Sequence, residues 1–239
     1  GVEITFPTNQ AARITIQDRF RRYQRLAGMT GTASTSRREL QKIYNVRVES
    51  IPTNRPPIRE KLPSMVFGAG EERWRAVVDD AAREHEKGRP VLIGTRSIDK
   101  SEHLAAMMAE RGLDVTVLNA KHIEQEAEIV AQAGQQGKIT VATNMAGRGT
   151  DIKLGEGVHE LGGLHVICTE LHESQRIDRQ LIGRCGRQGD PGTFRQFMAL
   201  DDEILLMGLG PKKARRLEEY GKNKTGPLGG RDALFYRAQ

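Results

Sequence analysis

Aromatic residues are scarce in this chain: one tryptophan, four tyrosines and six phenylalanines make up only 5% of 239 residues. Proteins that grip single-stranded nucleic acid stack bases on aromatic side chains, so this supply argues against nucleic acid as the primary partner. Cysteine is nearly missing as well, with Cys168 and Cys185 alone. Two thiols make neither a four-ligand zinc cage nor a disulfide framework, and both are expected to be small packed hydrophobes in a reducing cytoplasm. No apolar run reaches the eighteen residues of a spanning helix, and no charged-then-apolar leader opens the chain. A start at Gly1 rather than Met is expected of an excised fragment.

Catalytic signatures are missing too. No G-x-x-x-x-G-K-[ST] phosphate loop occurs. The nearest stretch, Gly134 to Thr140, has Gln132 where the first glycine should fall and Ile139 where Ser or Thr is needed, and it precedes its strand. No Asp-Glu pair follows an apolar strand to hold magnesium, and Asp201-Asp202-Glu203 reads as a helix start. The six histidines lack ligand spacing, so no metal site is expected; His165 and His172 read as a strand residue and a cap. Neither a Ser–His–Asp grouping nor a G-x-S-x-G elbow is present.

What is present suffices for a folded core: 37% of the residues are apolar. A net charge of +6 and a pI near 9.5 favour something anionic, whether nucleic acid, acidic lipid or nucleotide phosphate. Basic residues gather at 13–25 and 212–216.

Short β-rich runs at 91–93, 115–118, 139–142, 164–168 and 194–198 alternate with helical patterns. Near-continuous apolar strands belong to a parallel sheet covered on both faces. The first helix carries Trp74, Val77, Val78, Ala81 and Ala82 and ends near Gly88; the second starts at Ser97, buries Leu104, Met107 and Met108, and stops at Gly112. A third is expected from about His122 to Ala133. Repeated strand-then-helix units make a doubly wound α/β domain. Pro52-Thr53-Asn54-Arg55-Pro56-Pro57 suits neither a helix nor a central strand and marks a boundary; the Gly-rich basic stretch 208–230 reads as a mobile connector.

Two constellations carry chemistry. In Gln180-Leu-Ile-Gly183-Arg184-Cys-Gly186-Arg187-Gln188-Gly-Asp190-Pro-Gly192, a helix entered near Glu173-Ser174 would put Gln180, Arg184 and Arg187 on one face. Neighbouring guanidinium groups repel unless an anion meets them, and their paired donors fit phosphate oxygens. The second, Thr143-Asn-Met-Ala-Gly147-Arg148-Gly-Thr150-Asp151-Ile152, follows a strand, and open α/β sheets bind ligands beyond such carboxyl ends. Arg148 is free to swing between glycines; Asp151 could accept from a ribose hydroxyl or hold an arginine in place. The bland alternatives are a solvated basic face and a glycine turn with a local cap.

With these residues in hand, the chain resembles the SecA family, whose motor is built like a superfamily 2 helicase. Asn144-Met-Ala-Gly-Arg-Gly-Thr-Asp-Ile152 and Gly186-Arg-Gln-Gly-Asp-Pro-Gly192 carry the resemblance most specifically. Further matches are Leu26-Ala-Gly-Met-Thr-Gly-Thr-Ala33, Ile51-Pro-Thr-Asn-Arg-Pro56 and Glu160-Leu-Gly-Gly163. The resemblance implies a RecA-like, P-loop NTPase-type fold: the end of a first nucleotide-binding lobe over residues 1–53, a second lobe over 54–209, and a flexible connector with the possible start of a scaffold helix over 210–239. It implies an ATPase that drives preproteins through a SecY-type channel, with Mg2+ and most of the ATP held by the rest of the first lobe, so that this chain alone should turn over no ATP. Arg148, Arg184 and Arg187 would be arginine fingers, Asp151, Gly147 and Gln188 nucleotide contacts, and Thr30, Gly31, Thr32 and Gln180 coupling residues between the lobes. Anionic phospholipids, a homodimer and peripheral attachment to the cytoplasmic face of the plasma membrane also follow from the resemblance. Leu171 and Ile182 stand where the family usually has arginine and Cys185 where it has serine, which removes cationic groups near the fingers. Two other classes remain in view: the same lobe of a nucleic-acid helicase, expected to show a steep salt dependence, and a non-catalytic interaction module, in which losing Arg187 would change no turnover.

Overall fold

The computed structural model describes residues 13–118, 126–143 and 150–229. By contacts the chain forms two compact units, Gly1–Pro52 and Thr53–Gln239.

The described part of the first unit is short and helical. Helix α1 (Ile16–Phe20) opens on Thr15, whose hydroxyl accepts the Asp18 amide at 3.1 Å. A 3₁₀ turn at Ala33–Ser36 leads into α2 (Arg37–Tyr44), which stops at Asn45 in the left-handed region, φ 54°.

In the second unit a parallel sheet forms the middle layer. Its strands are β1 (Glu60–Lys61), β2 (Met65–Phe67), β3 (Val91–Thr95), β4 (Val115–Leu118), β5 (Ile139–Thr143), β6 (Leu164–Cys168) and β7 (Gly192–Ala199). The order is β1-β7-β6-β3-β5-β4, with β2 also on β7. β1 lies against Thr193 and Phe194, and β2 against Phe197 to Ala199. Pro63 sits between the two, where its missing amide would break a continuous ladder.

Alternation along the strands sorts the core. Val91 and Ile93 of β3, with Ile139, Val141, Ile167 and Phe197, pack on α3 (Gly70–Glu86) and α4 (Ile98–Glu110) through Trp74, Val77, Val78, Leu104 and Met108. Leu92, Ala142, Leu164 and Val166 face the other way, toward α5 (Glu126–Gln132) and α6 (Gln175–Ile182). Both cysteines are buried on this second face, as their expected packing role requires. Of the third expected helix, residues 122–125 lie outside the described residues.

The stretch read as a connector is partly helical instead. α7 (Glu203–Leu209), opened by Asp202, precedes α8 (Pro211–Lys222), and Leu205 and Leu217 bury against Val66, Met198 and Leu200. Proline at the first position of α8 suits a helix start. Gly68 and Gly221 allow the approach: a Cβ on either would lie 2.1–2.2 Å from the other's carbonyl oxygen.

A buried polar network ties α3 to the sheet. Asp80, 1% exposed, accepts from Arg195, from Arg83 at 2.7 Å and from His165 Nε2 at 3.1 Å, while His165 Nδ1 meets the Thr193 hydroxyl at 2.6 Å. Burial alone would raise the Asp80 carboxyl; the hydrogen bond from His165 and the charges of His165, Arg195 and Arg83 hold it below the usual carboxylate range. Arg89 donates to Glu84 at 2.7 Å, to the carbonyls of Gly162 and Gly163 at 2.9 and 3.1 Å, and to Thr193 at 2.9 Å.

Candidate functional site

α6 begins at Ser174, whose hydroxyl accepts the Arg176 amide at 3.3 Å. The His172 imidazole meets Asp178 in the first turns, Nδ1 to Oδ1 at 2.5 Å. The helix lies close on the sheet because β3 offers a glycine there: a Cβ on Gly94 would fall 2.1 Å from the Leu181 side chain.

The helix ends earlier than the pattern of arginines suggests. Ile182 is its last residue and Gly183 its C-cap, so Arg184 and Arg187 do not share a helical face with Gln180. They stand instead on a turn. Gly186, Gln188 and Gly189 have φ of 62°, 55° and 87°, and the Asp190 amide donates back to the Arg187 carbonyl at 2.8 Å. Left-handed residues at these positions cannot continue a helix, and glycine takes two of them without strain. The turn packs beside the start of β7, where a Cβ on Gly192 would lie 2.8 Å from the Gly186 amide nitrogen. It therefore sits by the amino end of that strand, not beyond the carboxyl ends of the sheet.

Both arginines reach the segment that follows β5. Arg184 Nη1 donates to the Thr150 carbonyl at 2.8 Å, and Arg187 pairs with the Asp151 carboxylate through Nη1. Arg187 Nε also donates to the Gly183 carbonyl at 2.8 Å, satisfying one of the acceptors a helix leaves open at its C-terminus. The Arg187 and Asp151 side chains stay 37% and 46% exposed, so the pair faces solvent. Of the two roles open to Asp151, the geometry displays the holding of an arginine.

The turn is fixed from beneath by Cys185, whose thiol donates to the carbonyls of Ile182 at 3.4 Å and Thr193 at 3.5 Å. Burial pushes this thiol up to about 11, against the lowering charge of Arg59; Cys168, fully enclosed, is pushed up further by burial and by Asp178. Neither is a thiolate at neutral pH. Arg59 Nη1 donates to the carbonyls of Ile182 at 3.3 Å and Cys185 at 2.9 Å, and Arg55 reaches the Gln188 carbonyl at 3.5 Å. Sequence patterns assign neither residue to the site: Arg55 lies within the proline-rich boundary stretch and Arg59 just after it.

Gln188 shares the turn, and the other expected residues fall elsewhere. Gly147 and Arg148 lie outside the described residues. Gln188 is exposed and Gln180 half-buried on α6. Thr30, Gly31 and Thr32 belong to the first unit, where the two threonine hydroxyls meet at 3.2 Å and the Thr32 amide donates to Thr30 Oγ1 at 3.3 Å. Among the described residues no group of three or more His, Cys, Asp or Glu could hold a metal, and no helix is long and apolar enough to cross a membrane.

Comparison with known proteins points one way. Residues 56–160 and 155–223 match the family model described as the SecA P-loop domain, and residues 1–41 match that of the SecA DEAD-like domain. The whole chain is 57% identical to protein translocase subunit SecA 2 of Rhodopirellula baltica, of which it spans 36%. Over 95% of its length it is 51% identical to protein translocase subunit SecA of Oleidesulfovibrio alaskensis, spanning 26% of that protein. The chain thus covers between about a quarter and a third of these relatives. Among solved structures it is similar to the yeast DEAD-box splicing factor Prp28, with a TM-score of 0.54, 19% identity, and coverage of 87% of this chain and 44% of that one. The E. coli DEAD-box protein SrmB gives a TM-score of 0.51 at 21% identity, covering 66% of this chain and 87% of that one. These likenesses identify the parallel sheet and its helices as a RecA-like fold.

Proposed function

The chain belongs to the SecA family, and on that premise we propose that residues 54–209 are the second RecA-like lobe of an ATP-driven protein translocase motor. Residues 1–53 are then the end of its first lobe. The observation that carries the reading is the meeting of Arg184 and Arg187, on one half-buried turn, with Thr150 and Asp151 of a segment distant in sequence. A triphosphate fits such a site: the donors are guanidinium groups, which match phosphate oxygens in pairs, and the turn beneath them is braced. Arg187, Arg184 and Arg148 would hold phosphate oxygens, and Asp151, Gly147 and Gln188 would line the site.

ATP with Mg2+, held mainly by the first lobe, supplies the phosphoryl group that is transferred. This chain contributes positive charge and position. An exposed pair such as Arg187–Asp151 contributes only about 0–1 kcal/mol, so Asp151 keeps the guanidinium oriented without preventing its exchange to a phosphate. An arginine finger accelerates phosphoryl transfer by roughly 10³ to 10⁵. Closing and opening of the lobes about Thr30 to Thr32 and Gln180 would turn each cycle into movement of a preprotein through a SecY-type channel. The basic surface suits anionic phospholipids at the cytoplasmic face of the membrane, with the motor attached peripherally and able to pair as a homodimer.

The test is ATP turnover by the whole translocase subunit carrying Arg187→Ala. The reading expects kcat to fall by about 10³, with binding of ATP altered far less. Turnover equal to that of the unaltered subunit would overturn it.

A further inference from the structure

We propose that Arg59 is a positioning residue for the arginine turn, setting the place of Arg184 and Arg187 from outside their own segment. The proposal rests on the reading of that turn as the element facing phosphate. Three observations carry it. First, the Arg59 guanidinium sits on two carbonyls of the turn's root, those of Ile182 and Cys185, at 3.3 and 2.9 Å. These lie where α6 stops and its last carbonyls lack helical partners, so a cation there both completes hydrogen bonds and answers the negative end of the helix dipole. Second, the turn rests on the stem of the same side chain: a Cβ on Gly186 would fall 2.6 Å from Arg59 Cβ, in a backbone conformation, φ 62°, that already favours glycine. Third, Arg59 is itself held in register, since the next residue, Glu60, pairs with Thr193 of β7.

Arg55 extends the same strap. Its stem lies 3.0 Å from the place a Cβ on Gly189 would take, and its guanidinium reaches the Gln188 carbonyl. Residues 55–59 thus run along the turn on their way into the sheet, a few residues after Pro52 closes the first unit. A shift of this segment acts on the backbone that carries Arg184 and Arg187. Arg59 needs no contact with substrate to affect the chemistry.

The experiment compares five forms of the whole subunit by steady-state ATP turnover: unaltered, Arg59→Ala, Arg59→Lys, Arg187→Ala, and the double variant Arg59→Ala with Arg187→Ala. Arg59→Ala is expected to lower kcat about tenfold while KM for ATP moves less than about threefold, because what is lost is an arrangement realised in the transition state. In the Arg187→Ala background the same change should cost less than about threefold, since of the two side chains that Arg59 positions only Arg184 remains. Arg59→Lys, which keeps the charge but offers one compact donor group, should recover part of the loss. If Arg59→Ala does not fold, Arg59→Gln, with its shorter stem and amide donors, carries the same comparison. Normal kcat in Arg59→Ala alongside an impaired Arg187→Ala overturns the positioning role and leaves the function standing. A tenfold loss in both backgrounds also overturns it, as general damage to the fold. Normal kcat in Arg187→Ala sinks the underlying reading instead.

Discussion

Replacing Asp80 by asparagine removes a charge from the middle of the network that joins α3 to β6 and β7. Asp80 is 1% exposed and His165 fully buried, while Arg195 is 17% exposed and Arg83 55% exposed at the side chain. Losing one partner of a buried ionic cluster costs about 3–5 kcal/mol, and the lower end applies here because Arg83 can turn to water and asparagine keeps one acceptor. For a unit of this size about 3 kcal/mol corresponds to a fall in melting temperature of about 6–12 °C. The pH dependence has a definite sign. The native carboxyl titrates below its unfolded value, so its contribution is complete above about pH 4 and disappears as pH falls through the native value. The gap between Asp80→Asn and the unaltered chain should therefore be full at pH 7 and shrink as pH falls below about 4. Thermal unfolding at each pH, followed by the lone tryptophan, Trp74 on the same helix and buried in the same core, measures both points. An unchanged melting temperature at pH 7, or a gap that does not shrink as the solution is acidified until the chain unfolds, would refute the reasoning.

Two further outcomes follow from the same geometry. Gly163→Ala should destabilise by more than about 2 kcal/mol, because φ is 72° and the new Cβ would meet the Pro191 carbonyl oxygen at 2.0 Å, backbone against backbone; a melt within one degree of the unaltered chain would contradict this. Cys168 and Cys185 should both resist alkylation at pH 8 until the chain is unfolded, since burial raises both thiols; rapid labelling of either in the native state would contradict that burial.

The five apolar strands from β3 to β7 were legible because each is a near-continuous run bounded by turn residues, and α3 and α4 because their apolar spacing and the Ser97 cap are local signals. β1 and β2 were not, for two or three residues interrupted by Pro63 carry no pattern. α8 hid behind its composition: lysine, arginine and glycine suggest a connector, whereas the burial of Leu217 and the fit of Gly221 on Gly68 are decided by the rest of the fold. In the site, with Arg148 outside the described residues, the residue types and the holding of an arginine by Asp151 could be read from sequence. Their backbone could not, since an arginine at helical spacing looks the same on a helix and on the turn after it. The contacts of Arg55 and Arg59 lie more than a hundred residues away along the chain, which no local pattern reports.

On the proposed function, Arg187, which pairs with Asp151, turns to the phosphate chain of a nucleotide when the motor is loaded. A structure of the whole subunit with a non-hydrolysable triphosphate tests this most directly. The Arg187 guanidinium is expected within about 3 Å of a phosphate oxygen, released from or shared with Asp151. A guanidinium still fully engaged by Asp151, with no phosphate oxygen within about 4 Å of Arg184 or Arg187, would contradict it.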